Sequence, residues 1–486
     1  MSEKSVAIKG GLWMSVSTAV TMLTQFLRLI ILTRFLEKSD FGIVSIVNMV
    51  VGLCLTFTDL GFATAIMYKQ QISEKEFSTL FWIQFLLYTL IYLFLSLFAP
   101  LVANFYNEKT LVFLIPLAGI SVLLQSLGKL YDSVLQKRYQ FRFLAIVTII
   151  TNLTSLILAW FLAAYGFGVY SLILSTLFQI AVMNICLFVK GFHFQKIIFK
   201  FALRETLPMV KMGIYQTGTH IFDFLSYKLD VMIIGKFLGV EVLGVYDLAK
   251  ELVVKFVGLI RTVVSKVALP ILANNNNNDE AVKVRFLQIT KIVALICIPI
   301  CVALSVFSKE IVLILYGEKF YDAADIVSVF AFVTMITSIS CFIDMLGISK
   351  GRTDLNFKNT IFRILITTPI VVVTSFFSIN AVVWGQLLTA ILAFFGFWKI
   401  VAINTYPMPL KLYLSQFSKC LIVICSVGGI TWGLKYLGLF SMIDSIVFST
   451  ILYAIIFLLL LVLASKILLA NEVRYVLNIF GKRRNK

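Results

Sequence analysis

Four cations and four acids stand inside stretches of this sequence that are otherwise apolar: Arg28, Lys250, Lys255 and Arg261, with Asp59, Asp223, Asp230 and Glu251. Each such charge costs about 2.5–3.5 kcal/mol at the centre of a membrane helix, so it must face a cavity or a partner. His220, Asp223, Tyr227 and Asp230 recur at i, i+3, i+7 and i+10, one face of a helix. A shift of 202 residues places Thr18, Thr21, Gln25 and Arg28 on the equivalent face of an earlier segment. A guanidinium matches a phosphate bidentately, whereas an ammonium acts as a point charge. This pattern points to a water-filled cationic cleft for an anionic headgroup, with the acids able to take up a proton or sodium. A structural alternative stands beside it: Arg28–Asp230 and Glu251–Lys255, the latter at i, i+4, could be buried pairs holding two halves together. Lys250 and Arg261 share a face with no obvious acid on it, which points to binding.

The remaining polar residues carry less. Lys129, Asp132 and Asp344 read as structural or snorkelling charges, and His193 as interfacial. The seven cysteines lie in apolar segments without metal-ligand neighbours and read as small packing residues. The sequence shows no nucleotide-binding glycine loop, no metal-ligand cluster and no nucleophile with a partnered base. The expectation is a chain that is not an enzyme and carries no cofactor and no metal.

The elements that position these groups follow from composition. Apolar residues make up 60% and charged residues 14%, against roughly 45–50% and 25% in soluble domains. So little polar surface cannot cover the chain in water. Runs able to cross about 30 Å of hydrocarbon occur near 10–33, 41–67, 78–103, 111–134, 143–164, 168–189, 208–235, 242–266, 284–307, 323–348, 360–379, 381–402, 414–435 and 444–469. The expected fold is an all-α membrane protein with 14 transmembrane helices and both termini inside. With that orientation 29 of the 42 Lys and Arg are cytoplasmic, 7 outside and 6 within the membrane, as the positive-inside bias requires. The net charge of +18 is then a property of the inner face, suited to anionic lipid, and needs no nucleic acid to explain it. No secretory signal precedes the first span.

An internal repeat organises the spans. Across positions 9–44 and 211–246 eight residues are identical without a gap: Lys9, Gly11, Leu23, Leu27, Ile31, Phe35, Leu36 and Gly42. FAPLVANFYNEK at 98–109 also matches FSKEIVLILYGEK at 307–319 with one insertion. Six spans per repeat give two lobes of equal orientation, with substrate expected between them. The expected division is an N-lobe at 1–189, a linker at 190–207, a C-lobe at 208–402, and two further spans with a basic cytoplasmic tail at 403–486. In the linker, Phe194, Ile197, Ile198 and Phe201 fall on one side and Lys196, Lys200 and Arg204 elsewhere, predicting an amphipathic helix on the inner membrane surface.

Several motifs carry a resemblance: KGGLW followed by LTRFLEKSDFGI, then TDLGFATAI, YKLDVMIIGKFLGVEVLGVYDLAKEL and LILYGEKF. Together and in order, across nearly the whole chain, they resemble the bacterial polysaccharide flippases of the multidrug/oligosaccharidyl-lipid/polysaccharide exporter superfamily. The resemblance implies two six-helix lobes around a central cleft, joined by an amphipathic linker, with alternating access. It implies as substrate an oligosaccharide on an undecaprenyl diphosphate carrier, moved across the bacterial cytoplasmic membrane; the intramembrane acids, for their part, leave H+ or Na+ as candidate coupling ions. Flippases of this superfamily tend to carry bases on the first, second and eighth spans. Arg28 matches the first and Lys250, Lys255 and Arg261 the eighth; the second departs, offering Asp59 and no internal base. The rivals are an ion-coupled exporter of small cationic drugs, which would have an acidic cleft, and a membrane enzyme that polymerises sugars. The enzyme would need a large outer loop, and the outer connections here are too short.

Overall fold

The computed structural model describes residues 3–58, 62, 66–67, 69, 72–199, 203–273, 278–438 and 446–469. Within these, fourteen helices have 18 residues or more: α1 (Glu3–Leu32), α2 (Lys38–Thr58), α3 (Glu74–Tyr106), α4 (Leu111–Lys137), α5 (Phe141–Ala164), α6 (Val169–Phe192), α7 (Leu203–Phe237), α8 (Val240–Ala273), α9 (Asp279–Val306), α10 (Ala323–Ser340), α11 (Thr353–Ser375), α12 (Ile379–Phe397), α13 (Ser418–Tyr436) and α14 (Ile446–Ile467). The described residues hold no strand. A bilayer core offers backbone groups no water, so spanning segments must satisfy them internally, as helices do. Twelve of the fourteen are long and apolar enough to cross a membrane by length and composition, which makes this a multi-pass integral membrane protein. The described residues thus hold twelve candidate spans by that measure, where the sequence predicts 14. The two outside it, α7 and α8, are the helices that hold Asp223, Asp230, Lys250, Glu251, Lys255 and Arg261.

The chain divides into two compact units, Met1–Gly244 and Val245–Lys486. In the first, α4 packs along α3 and α6, α5 along α1 and α6, and α2 against α7. Its core gathers Phe77, Leu80 and Phe81 of α3 with Leu130, Tyr131 and Val134 of α4. The start of α3 is fixed by a capping box: Ser73 Oγ accepts from the Glu76 amide at 3.2 Å and Glu76 Oε2 accepts from the Ser73 amide at 3.0 Å. Lys69 pairs with the same carboxylate.

The linker differs from the sequence expectation. Helix α6 runs to Phe192, and residues 193–199 are not helical. They are pinned to the first unit instead. The Gln195 carbonyl accepts from Tyr131 Oη at 3.0 Å, the Ile198 amide donates to Ser78 Oγ at 2.9 Å, and Phe199 lies 4.7 Å from Trp82 between ring centroids. A specific acceptor on α3 and a specific donor on α4 outweigh the periodicity of a surface helix here.

In the second unit α10 packs on α9 and α12, α11 on α12, α13 on α9, and α14 on α13. Tyr413, in a short helix Leu410–Leu414, is fully buried and donates to the Ile339 carbonyl at 3.0 Å. Its ring stands 4.7 Å from Trp398 and 5.5 Å from Phe286. Lys350 joins Asp279 at the start of α9 to the Thr405 carbonyl.

One contact needs glycine. A Cβ on Gly42 would fall on the Val240 carbonyl oxygen, and a Cβ on Gly244 on the Lys38 carbonyl oxygen. Backbone meets backbone there, with no flexible side chain to yield. Overpacking of this kind costs about 1–3 kcal/mol. Gly42→Ala and Gly244→Ala are each expected to lower the unfolding midpoint of the purified protein, while Gly11→Ala, whose Cβ meets nothing within 4 Å, leaves it unchanged. Equal midpoints for all three variants would show that the two helix starts do not depend on this contact.

Candidate functional site

On α1 the stripe residues have three fates. Thr18 turns back to the Met14 carbonyl at 2.8 Å, Gln25 is exposed, and Thr21 and Arg28 reach other helices. One Arg28 terminal nitrogen lies 2.6 Å from the Leu172 carbonyl, 2.7 Å from Ser175 Oγ and 2.8 Å from Thr176 Oγ1, all on α6, its two N–H groups shared among the three acceptors. A charge-assisted set of this kind is what a guanidinium in hydrocarbon requires. Two turns away, Asn152 Nδ2 of α5 donates to Thr21 Oγ1 at 3.3 Å, and Gln179 Nε2 of α6 donates to Asn152 Oδ1 at 3.2 Å. Ser155 of α5 closes the seam by donating to the Ser175 carbonyl at 2.8 Å.

Sequence reasoning missed Asn152, Ser155, Ser175, Thr176 and Gln179. A signal for them existed: 152 and 155, and 175 and 179, are spaced to share a helix face. Gln179 also lines a cavity of about 240 Å3 with Gln125, Lys129, Asp132 and Asn184. Lys129 and Asp132, expected to be structural or snorkelling, therefore border a polar recess between α4 and α6, where Asp132 Oδ2 accepts from Gln136 at 2.9 Å.

On α7 the stripe is mixed. Asp230 is buried and accepts from the Val231 amide at 2.8 Å, whereas Asp223 and Tyr227 are exposed. His220 lies on the same helix. Asp59 lies outside the described residues, as does the tail beyond 469.

On α8 the three cations expected at the site meet different surroundings. Lys250 is buried with its ammonium 5.8 Å from the Tyr246 ring centroid. Lys255 pairs with Glu251 at 2.8 Å, the i, i+4 pair that its spacing suggested. Arg261 is half-buried and within hydrogen-bonding reach of the Cys341 thiol. Lys250 and Arg261 are eleven residues, about three turns, apart on one helix. Among the described residues no group of His, Cys, Asp and Glu could hold a metal ion.

The seam makes a prediction about α1. Hydrogen bonds to a charged group contribute about 1.5–3 kcal/mol, so Arg28→Ala should lower the thermal unfolding midpoint of the purified protein by several degrees. Arg28→Lys, with a point charge in place of a fork, should recover part of that loss. An unchanged midpoint in Arg28→Ala would mean that α1 is held in place by its packing on α5 alone.

A helical membrane protein with this arrangement has known relatives. The chain is 26% identical over 436 residues to the teichuronic acid biosynthesis protein TuaB of Bacillus subtilis, covering 88% of this chain and 89% of that one. It is 24% identical over 410 residues to the lipopolysaccharide biosynthesis protein WzxC of Escherichia coli, covering 83% and 80%. Its fold is similar to that of the lipid II flippase MurJ in an inward closed conformation, with a TM-score of 0.76 at 15% identity over 95% of this chain and 99% of that one. The family model described as "Polysaccharide biosynthesis protein" matches residues 31–325. With more than half of its length matched, the chain belongs to this polysaccharide biosynthesis protein family.

Proposed function

We propose that this chain is a flippase of the bacterial cytoplasmic membrane, moving undecaprenyl-diphosphate-linked oligosaccharide repeat units from the inner to the outer leaflet for surface polysaccharide export. The observation that carries this reading is the family match over residues 31–325. The names of TuaB and WzxC, and the fold likeness to a protein named a lipid II flippase, support it. In this reading all fourteen long helices span the membrane, both termini are cytoplasmic, and the chain works by alternating access. It makes and breaks no bond and needs no cofactor.

The chemical task is to carry a diphosphate and its sugars through a medium that solvates neither. A diphosphate leaving water requires opposite charge along its way. Helix α8 offers it from Lys250, Lys255 and Arg261, three cations in chain order along one element. Arg261 is suited to grip phosphate oxygens in pairs, while the lysines add positive potential. Arg28 already donates three bonds to α6, so in this scheme it contributes field and holds α1 in place. Asp223, Asp230 and Glu251 are the groups to which coupling by a proton or sodium, or internal pairing, is assigned.

The test is the leaflet distribution of undecaprenyl-linked sugars in cells depleted of this protein. Accumulation in the inner leaflet is expected, relieved by wild type but not by a normally inserted Lys250→Ala, Arg261→Ala variant. The double variant removes two charge-assisted hydrogen bonds to phosphate, each contributing about 1.5–3 kcal/mol, and should slow transport tenfold or more. Full relief by the double variant would discard the α8 site and leave the flippase standing. Absence of accumulation would overturn the flippase and favour an ion-coupled exporter of small molecules.

A further inference from the structure

The second unit contains a recess of about 690 Å3, independent of the residues assigned above to transport. It lies where the C-terminal turns of α9 and α13 meet the N-terminal half of α10 and the short helix Ser308–Leu315. Its volume is in the range of small-molecule sites, roughly 300–1,000 Å3.

Two kinds of charge line it. Lys435 and Glu310 are committed: Lys435 Nζ donates to Glu310 Oε2 at 2.9 Å and to the Val306 carbonyl at 2.8 Å, and lies 5.5 Å from the Phe307 ring centroid. Both side chains are mostly covered, so this pair is a fixed wall joining α13 to the end of α9. Lys309 and Asp325 are uncommitted: both are exposed, and among the described residues neither makes a hydrogen bond or ion pair. An opposite pair of free charges in one recess, not bonded to each other, leaves room for a ligand between them. Trp432 and Tyr436 flank them, with ring centroids 5.8 Å apart.

We infer that this recess binds the headgroup of a zwitterionic phospholipid, with the phosphate at Lys309 and the amine at Asp325 beside the aromatic pair. The lining carries two cations and two anions and is neutral in sum, so it offers an anionic lipid no net attraction. A phosphate and an ammonium on one headgroup match Lys309 and Asp325 together, and an indole face adds attraction for the ammonium. Tryptophan and tyrosine often sit at a membrane interface for their amphipathic rings alone. That explains Trp432 and Tyr436, but neither the recess nor the four charges inside it.

The experiment is native mass spectrometry of the purified full chain with added phosphatidylethanolamine or phosphatidylglycerol of identical acyl chains. Wild type is expected to retain one phosphatidylethanolamine about tenfold more tightly than phosphatidylglycerol, the size of one charge-assisted hydrogen bond. Asp325→Asn should remove that preference, and Lys309→Ala should weaken retention of both lipids, each while leaving the unfolding midpoint in lipid-free detergent unchanged, since neither side chain supports the fold. Equal retention of the two lipids by wild type, tighter retention of phosphatidylglycerol, a preference that survives Asp325→Asn, or unchanged retention in Lys309→Ala would overturn the proposal. So would displacement of the bound lipid by a soluble oligosaccharide, which would make the recess a sugar site.

Discussion

A guanidinium inside hydrocarbon has to be answered by acceptors, and Arg28 sets the arrangement of the first unit through that requirement. Its three bonds to α6 draw α1 against a helix that it meets five elements later in the chain. Because Ser175 is also held through its carbonyl by Ser155, the same contact brings α5 into register. Thr21, Asn152 and Gln179 repeat the three-helix connection two turns away. Lipid surrounds these helices and gives them no hydrophobic reason to prefer one another, so small residues and interhelical hydrogen bonds have to fix the register. The seam supplies the bonds, and hydroxyl side chains supply the close approach.

That requirement explains which parts of the molecule could be read from the sequence. Burial in lipid is encoded in the length of apolar runs, and each of the fourteen expected segments overlaps a long helix, with some ends off by seven or eight residues, as at 323–348 against Ala323–Ser340. The i, i+4 pair of Glu251 and Lys255 was legible because both partners lie on one helix. The partners of Arg28 were not. Serines and threonines on membrane helices usually bond their own preceding turn, as Ser175 does to the Ser171 carbonyl and Thr176 to the Leu172 carbonyl. Nothing in their type announces that they also accept from a helix more than 140 residues earlier. Periodicity failed differently at residues 193–199. An amphipathic pattern states which side is apolar, but not that Tyr131 and Ser78 offer a better place for the backbone than a membrane surface does.

The charges also divide by whether the protein has already used them. Arg28, Lys255 and Lys435 each have a carboxylate, carbonyl or hydroxyl within bonding distance. The cost of placing them is therefore met within the structure, and removing one partner leaves the other exposed to the same penalty. Lys309 and Asp325 belong to another class, since they border open space and, among the described residues, hold no other side chain. Reading function from charge alone merges these classes. Hydrogen-bond partners separate them, which is why the cations of α8 and the recess at Lys309 and Asp325 are read as different places.

The glycine contact shows that the internal repeat has structural meaning. The shift of 202 residues carries Lys38 onto Val240 and Gly42 onto Gly244. In the structure Gly42 rests on the Val240 carbonyl while Gly244 rests on the Lys38 carbonyl. Each residue thus meets the repeat-mate of the residue that meets its own mate, the reciprocity of an isologous two-fold contact. Such an interface must be self-complementary, and two facing backbones satisfy this only if both positions lack a side chain. A substitution at one glycine disturbs both sides of the contact, because the carbonyl it strikes belongs to the turn that presents the other glycine. The identity at 42 and 244 is therefore more than an echo of common apolar composition: the packing of the two helix starts requires it.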